Sequence, residues 1–174
     1  MATIVYGWGN VLKNKKLMGY EWCGDCCSFK PRYLSKLVFR VHISYIPIFM
    51  KTKGYYMACK GCSAGVEITK AQFKQLKEDF KPMSNSMAKK CFKEIVAICE
   101  PINELSDASV QYVIQNLSQT YPIMANETIG SFYRKLITDV IGEKIERQRV
   151  LTQQQNAFLQ QQAAMQVASA PSVQ

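Results

Sequence analysis

The 174-residue chain has a single histidine, His42. No serine or cysteine is patterned as its partner, so nucleophilic hydrolase chemistry, which needs a base beside the nucleophile, has little support. No run of about eighteen apolar residues occurs, which argues against a membrane-spanning helix. The start, Met1-Ala2-Thr3-Ile4-Val5-Tyr6-Gly7, lacks the basic stretch and apolar run of a secretory signal. Acidic residues are scarce in one half only. Residues 1–81 carry fourteen Lys and Arg against five Asp and Glu, whereas residues 82–174 carry eight of each. The whole formal excess of +9 therefore sits in the first half. Such a field attracts phosphate-bearing or acidic partners and also serves solubility.

Seven cysteines are present, an odd number, and four of them form two C-x-x-C pairs. These are Cys23-Gly24-Asp25-Cys26 and Cys59-Lys60-Gly61-Cys62. The pattern fits a metal and a reducing, cytoplasmic compartment better than a disulfide framework. A C-x-x-C places two sulfurs at one turn, and two such pairs complete a four-thiolate tetrahedral site for one structural Zn²⁺ ion. The glycine in each pair suits a tight turn around the ion. Cys27 directly follows Cys26 and is an alternative fourth ligand, at C-x-x-x-C spacing. A redox reading fares worse, because neither pair opens a helix that would lower a thiol pKa. Cys91 and Cys99 fall beside an apolar helical stripe and read as core residues.

In chain order, residues 2–6 suggest a short strand that Gly7-Trp8-Gly9 breaks. Lys13–Lys16 read as a basic turn, and Leu17–Trp22 as a second strand into the first pair. From Leu37 to Tyr45 the residues Leu37, Phe39, Val41, Ile43 and Tyr45 alternate with Arg40, His42 and Ser44, a half-buried strand with His42 on its polar face. Pro47 ends it or marks a sheet edge. Lys51–Gly54 read as a turn, Tyr55–Ala58 as a strand, and Val66–Ile68 as a brief exit strand. Thr69 and Gln72 form a capping box before a helix carrying Phe73, Leu76 and Phe80.

These pieces, in this order, resemble a small zinc-ribbon family. They are Gly7-Trp8-Gly9, the first cysteine pair, Tyr45-Ile46-Pro47-Ile48, Tyr55-Tyr56, the second pair and Glu67-Ile68-Thr69. The resemblance spans roughly residues 3–75. It implies a fold and a metal but no activity, since the family has none established. Cys27 and the long helical extension depart from its pattern.

Residues 81–86 read as a linker, and three helices follow. The first, Met87 to Cys99, carries Met87, Cys91, Ile95, Ile98 and, beyond it, Ile102, and Glu100-Pro101 ends it. The second starts near Ser106 or Asp107, carries Val110, Val113, Ile114 and Leu117, and stops at Tyr121-Pro122. The third follows Asn126 as N-cap and carries Ile129, Phe132, Tyr133, Leu136, Val140, Ile141 and Ile145. From Leu151 the composition turns to Gln and Ala, which extends the helix through about Gln162 before a disordered end at 168–174.

The expected fold is α+β: a zinc ribbon of short antiparallel strands with its exit helix over 1–80, a helical domain of about three helices over 84–150, and a Gln-rich extension or tail over 151–174. The expected function is a non-enzymatic binding or scaffold module with no catalytic residues and no small-molecule substrate. Its partner is expected to be a protein or a second copy. An alternative is nucleic-acid binding through Lys13, Lys15, Lys16, Lys30, Arg32, Lys36, Lys51 and Lys53, with Trp8, Tyr33 and Tyr55 nearby for stacking. A third reading has Ile46-Pro47-Ile48-Phe49-Met50 dipping into an anionic membrane surface beside Lys51 and Lys53. Packing of that segment within the ribbon is the simpler expectation.

Overall fold

Polar–apolar alternation carries the first half of the chain into one antiparallel meander. The structure, a computed structural model, describes residues 6–43 and 46–168. Strands β1 (Tyr6–Cys23), β2 (Ser28–Ile43), β3 (Ile46–Cys59) and β4 (Gly65–Ile68) lie side by side in that order. Helices α1 (Lys70–Asp79), α2 (Asn85–Cys99), α3 (Asp107–Thr120) and α4 (Glu127–Ala168) follow, with a 3-10 turn at Pro122–Ala125 before α4. The strand expected at 2–6 lies outside the described residues except for Tyr6, as do Ser44, Tyr45 and residues 169–174.

β1, β2 and β3 are long, which corrects the expectation of short ribbon strands, while β4 is the brief exit strand expected. β1 runs for 18 residues straight through Gly7-Trp8-Gly9 and Lys13–Lys16, and β3 runs for 14 through Lys51–Gly54. Pairing with β2 outweighs the local turn signals of glycine and lysine. The misfit is absorbed by shifts of register between Asn14 and Lys16 and between Leu17 and Gly19 in β1. Further shifts lie between Leu37 and Val38 and between Val41 and His42 in β2. Such irregularities add a residue to one strand without ending it. His42, expected on the open face, is half-buried instead, its ring lying where a Cβ on Gly7 would stand. Glycine at position 7 permits that approach.

The helices start and stop where their ends are satisfied. Thr69 and Gln72 exchange both hydrogen bonds of a capping box at α1. Ser84 caps α2, Ser106 caps α3, and Asn126 Oδ1 accepts from the Ile129 amide at the start of α4. At the other end of α2, the Lys144 ammonium donates to the carbonyls of Glu100, Ile102 (2.8 Å) and Cys99 (3.5 Å). A cation there offsets the helix dipole and occupies orphan acceptors.

One core joins sheet and helices. Leu17, Met18 and Leu34 of the sheet share it with Phe73 of α1, Ala88, Cys91 and Ile95 of α2, Val113 of α3 and Tyr133, Leu136 and Ile137 of α4. Tyr20 of β1 stacks on Phe92 of α2 at 4.2 Å. Gly19 leaves room for Phe132, whose ring would stand 2.7 Å from a Cβ at that position. Lys16 turns inward and donates to the Met83 carbonyl at 2.6 Å, pinning the α1–α2 connection to β1. Cys91 and Cys99 are buried in this core, as expected.

Two regions run past the core. The ends of β1, β2 and β3 away from the cysteine pairs form a three-stranded tongue, in which residues 46–53 are all exposed. Helix α4 is exposed from Glu146 through Gln162. No helix among the described residues is long and apolar enough to cross a membrane. Lys144→Met is expected to destabilise the protein by about 1–2 kcal/mol, since it strips the charge-assisted cap from α2. Urea unfolding followed by circular dichroism measures this, with the metal content unchanged.

Candidate metal centre

Each cysteine pair sits at the tight junction of two strands. Cys23 ends β1 and Cys59 ends β3, while Cys26 and Cys62 follow in the turns leading to β2 and β4. The first turn closes through Cys27 N–H to Gly24 O at 3.2 Å, and the second through Ser63 N–H to Cys59 O at 3.1 Å. Cys59 N–H donates to Ala64 O at 2.8 Å and Lys60 N–H to Pro31 O at 3.0 Å, which ties the second turn to the sheet.

The four sulfurs converge. All lie within 4.8 Å of one another, Cys23 and Cys59 buried, Cys26 half-buried and Cys62 exposed. Cys23 Sγ stands 3.5 Å from Cys62 Sγ, and Cys26 Sγ 3.9 Å from Cys59 Sγ. A tetrahedral ion with metal–sulfur bonds of about 2.3 Å needs sulfurs about 3.8 Å apart. The two separations bracket that value, so the donor set fits one ion.

The electrostatics favour a cation as well. Burial, followed by hydrogen bonds with the sulfurs of Cys62, Cys23 and Cys59, pushes the Cys26 thiol up to about 12. Burial also acts upward on Cys59, but the Cys62 and Gly61 amides and the neighbouring thiols bring it down to about 7. The Gly61 amide donates to Cys59 Sγ at 3.3 Å. Thiols this close resist becoming thiolates together, and a divalent ion removes that conflict.

The glycines have a different role from the one expected. Neither adopts a left-handed conformation; Cys27 (φ 45°) and Ser63 (φ 64°), one residue past each pair, do so instead. Gly61 matters for space, since a Cβ there would meet Cys26 Sγ at 3.0 Å. Of the two neighbouring cysteines, Cys26 is the one in the cluster. Cys27 is exposed, directs its thiol at Gly24 O at 3.2 Å and stays outside the cluster, which leaves Cys26 in place.

The eight basic residues proposed for nucleic acid have different surroundings. Lys16 is spent on main-chain carbonyls, and Lys36 lies over the rings of Tyr55 and Phe73 at 5.5 and 5.4 Å. Arg32 pairs with Glu21 at 2.5 Å, and Lys135 of α4 reaches the same carboxylate at 2.9 Å. Lys15 is exposed on β1, and Lys30 is half-exposed near the first pair. Lys13, Lys51 and Lys53 belong to the tongue. Residue spacing had given no sign of the Glu21–Arg32–Lys135 link, because Lys135 is 114 residues from Glu21.

Compared with family models, curated proteins and solved structures, the chain matches none. The four-cysteine cluster thus rests on its own geometry.

Cys26→Ser is expected to reduce bound metal from about one ion per chain to near zero. Cys27→Gly should keep the ion and stabilise the fold by about 1 kcal/mol, since glycine carries no left-handed penalty. Elemental analysis and thermal unfolding separate the two. Glu21 offers a pH test. Burial raises its carboxyl, but the Lys135 hydrogen bond and the Arg32 charge more than offset this and hold it below the ordinary 4.5. A lowered folded pKa contributes stability above the unfolded value and loses it as pH falls through the folded one. The stability gap between wild type and Glu21→Gln should therefore be present at neutral pH and close below about pH 4.5, as chemical denaturation across that range will show.

Proposed function

We propose that this protein is a non-enzymatic, zinc-stabilised binding module that works as a pair of copies joined through the exposed end of α4. Zinc is the ion assigned to the four sulfurs, because an all-thiolate tetrahedral set suits it and leaves no open position for water or substrate. A closed site of this kind holds structure together. The adaptor reading is motivated by its placement between strands that contribute to both the core and the tongue.

The observation that carries the pairing is the apolar stripe on α4. Val150, Leu151, Phe158 and Leu159 are 42%, 63%, 58% and 53% exposed on the end of the helix. Leu151 and Phe158 are seven residues apart, as are Val150 and Ala157, the repeat that keeps a seam facing a partner helix. Residues 150–174 contain no Asp, Glu, Lys or Arg. Like copies therefore meet without charge repulsion, and no complementary charge selects a different partner. A solitary helix of such composition is marginal in water, and burial of the stripe supplies what it lacks.

Sedimentation equilibrium of the zinc-loaded chain tests this. The wild type is expected as a dimer and Leu151→Glu/Phe158→Glu as a monomer with unchanged metal content and thermal transition. A monomeric wild type across the micromolar range would sink the pairing. Elemental analysis finding a metal other than zinc would sink the assignment of the ion.

A further inference from the structure

The tongue is built from residues 6–13 of β1, 36–43 of β2 and 46–53 of β3; β1 and β2 pair here without a break, and β2 and β3 pair across two register shifts. It carries five Lys and Arg and no acidic residue. Val38 is buried, but five of the tongue's apolar side chains are open: Trp8 is 73% exposed, Ile46 68%, Ile48 62%, Phe49 51% and Met50 53%. None of these five belongs to the core or packs against it. The segment Ile46–Met50, for which packing inside the ribbon was the simpler expectation, is therefore on the surface.

The two kinds of side chain are ordered along the strands. Apolar residues hold the tip, with Trp8, Val41 and Phe49 in one cross-strand row and Ile43 beside Ile46. Cations follow behind it. Arg40 pairs with Met50, Lys51 with Phe39, and the Lys53 ammonium lies 5.3 Å over the Phe39 ring. Lys13 reaches Met50 Sδ at 3.3 Å. From Ile48 to Lys51 is three residues, about 10 Å of strand. That spacing matches the depth to which apolar side chains enter the headgroup–acyl boundary while cations stay among the phosphates. Exposed Trp8 is the residue type that favours this boundary.

We infer that the tongue docks on the surface of an anionic phospholipid bilayer, with Ile46, Ile48, Phe49 and Trp8 inserted at the interface and Arg40, Lys51 and Lys53 against lipid phosphates. The insertion is shallow for a structural reason. Residues 46–53 of β3 form a sheet edge, because β4 pairs only with Tyr55–Ala58. Open edges are not tolerated in the hydrocarbon, whereas water at the interface satisfies them. Pro47, on that edge, has no N–H to satisfy.

Other occupants fit less well. Pairing of two copies along the β3 edge is opposed by Pro47, Lys51 and Lys53, residues that block edge-to-edge addition. Single-stranded nucleic acid would use ring faces and cations, yet Ile46, Ile48 and Met50 have no face on which a base can stack. The inference is independent of α4 pairing, which would add avidity by presenting two tongues.

Co-sedimentation of the zinc-loaded full chain with phosphatidylcholine vesicles, with and without phosphatidylserine, is the test. Binding is expected only with phosphatidylserine and should weaken as salt rises. Ile48→Asp should weaken it about tenfold or more, and Lys51→Glu/Lys53→Glu should abolish it at moderate salt. Both variants replace exposed residues, and metal content and circular dichroism verify their folds. In Trp22→Phe protein, Trp8 emission should shift to the blue on these vesicles. The inference is overturned by no binding at low salt, or by binding that Ile48→Asp leaves unchanged. It is equally overturned by oligonucleotide binding that survives Ile48→Asp while vesicles are ignored. Because α4 is untouched by these variants, sedimentation equilibrium reads the pairing separately.

Discussion

Convergence of four sulfurs at the junctions of the long strands is the constraint on which the rest of the structure depends. Cys23 and Cys59 end β1 and β3, while Cys26 and Cys62 lie in the turns toward β2 and β4. The two turns that carry them bring the root of the meander together, with all four sulfurs within 4.8 Å of one another. A three-stranded tongue without a covered face has little stability of its own. The cysteine turns and the helices hold one end of the meander, and the other end leaves apolar and cationic side chains uncovered.

The root is also held from the helical side. Glu21 joins Arg32 of β2 to Lys135 of α4, while Lys16 of β1 grips the chain between α1 and α2. Tyr20 and Gly19, adjacent on β1, receive Phe92 of α2 and Phe132 of α4. Helices thus cover the part of the sheet nearer the cysteine turns, while residues 46–53 at the far end of β3 are exposed. Lys16 and Arg32 in the covered part make structural contacts, whereas Lys51 and Lys53 on the tongue are exposed. The same residue type has two roles, decided by position along a strand.

The parts of the fold that were legible in the sequence rest on short-range chemistry. Ser106, Asn126 and the Thr69–Gln72 pair announced helix starts because capping acts within one turn. Tyr121-Pro122 announced a stop for the same kind of reason. The two cysteine pairs announced their cluster because C-x-x-C spacing is a local device, although the reason given for their glycines did not hold. Strand length was misread for the opposite reason. Gly7-Trp8-Gly9 and Lys13–Lys16 carry local turn signals, and a paired neighbour strand overrules them from a distant part of the chain, with Gly7 opposite His42 and Lys16 opposite Leu34.

By itself the sequence determined that helices follow residue 68 and where most of them start, the identity of the four clustered sulfurs and the charge imbalance between the halves, because each depends on neighbours in the chain or on counting. Only the tertiary structure decided which lysines are occupied, that Cys27 stays outside the cluster, and that Trp8 and Ile46–Met50 remain in the open. Those outcomes depend on which surfaces the helices reach. That reach is set by packing across distant segments such as Glu21 and Lys135, whose separation no local pattern encodes.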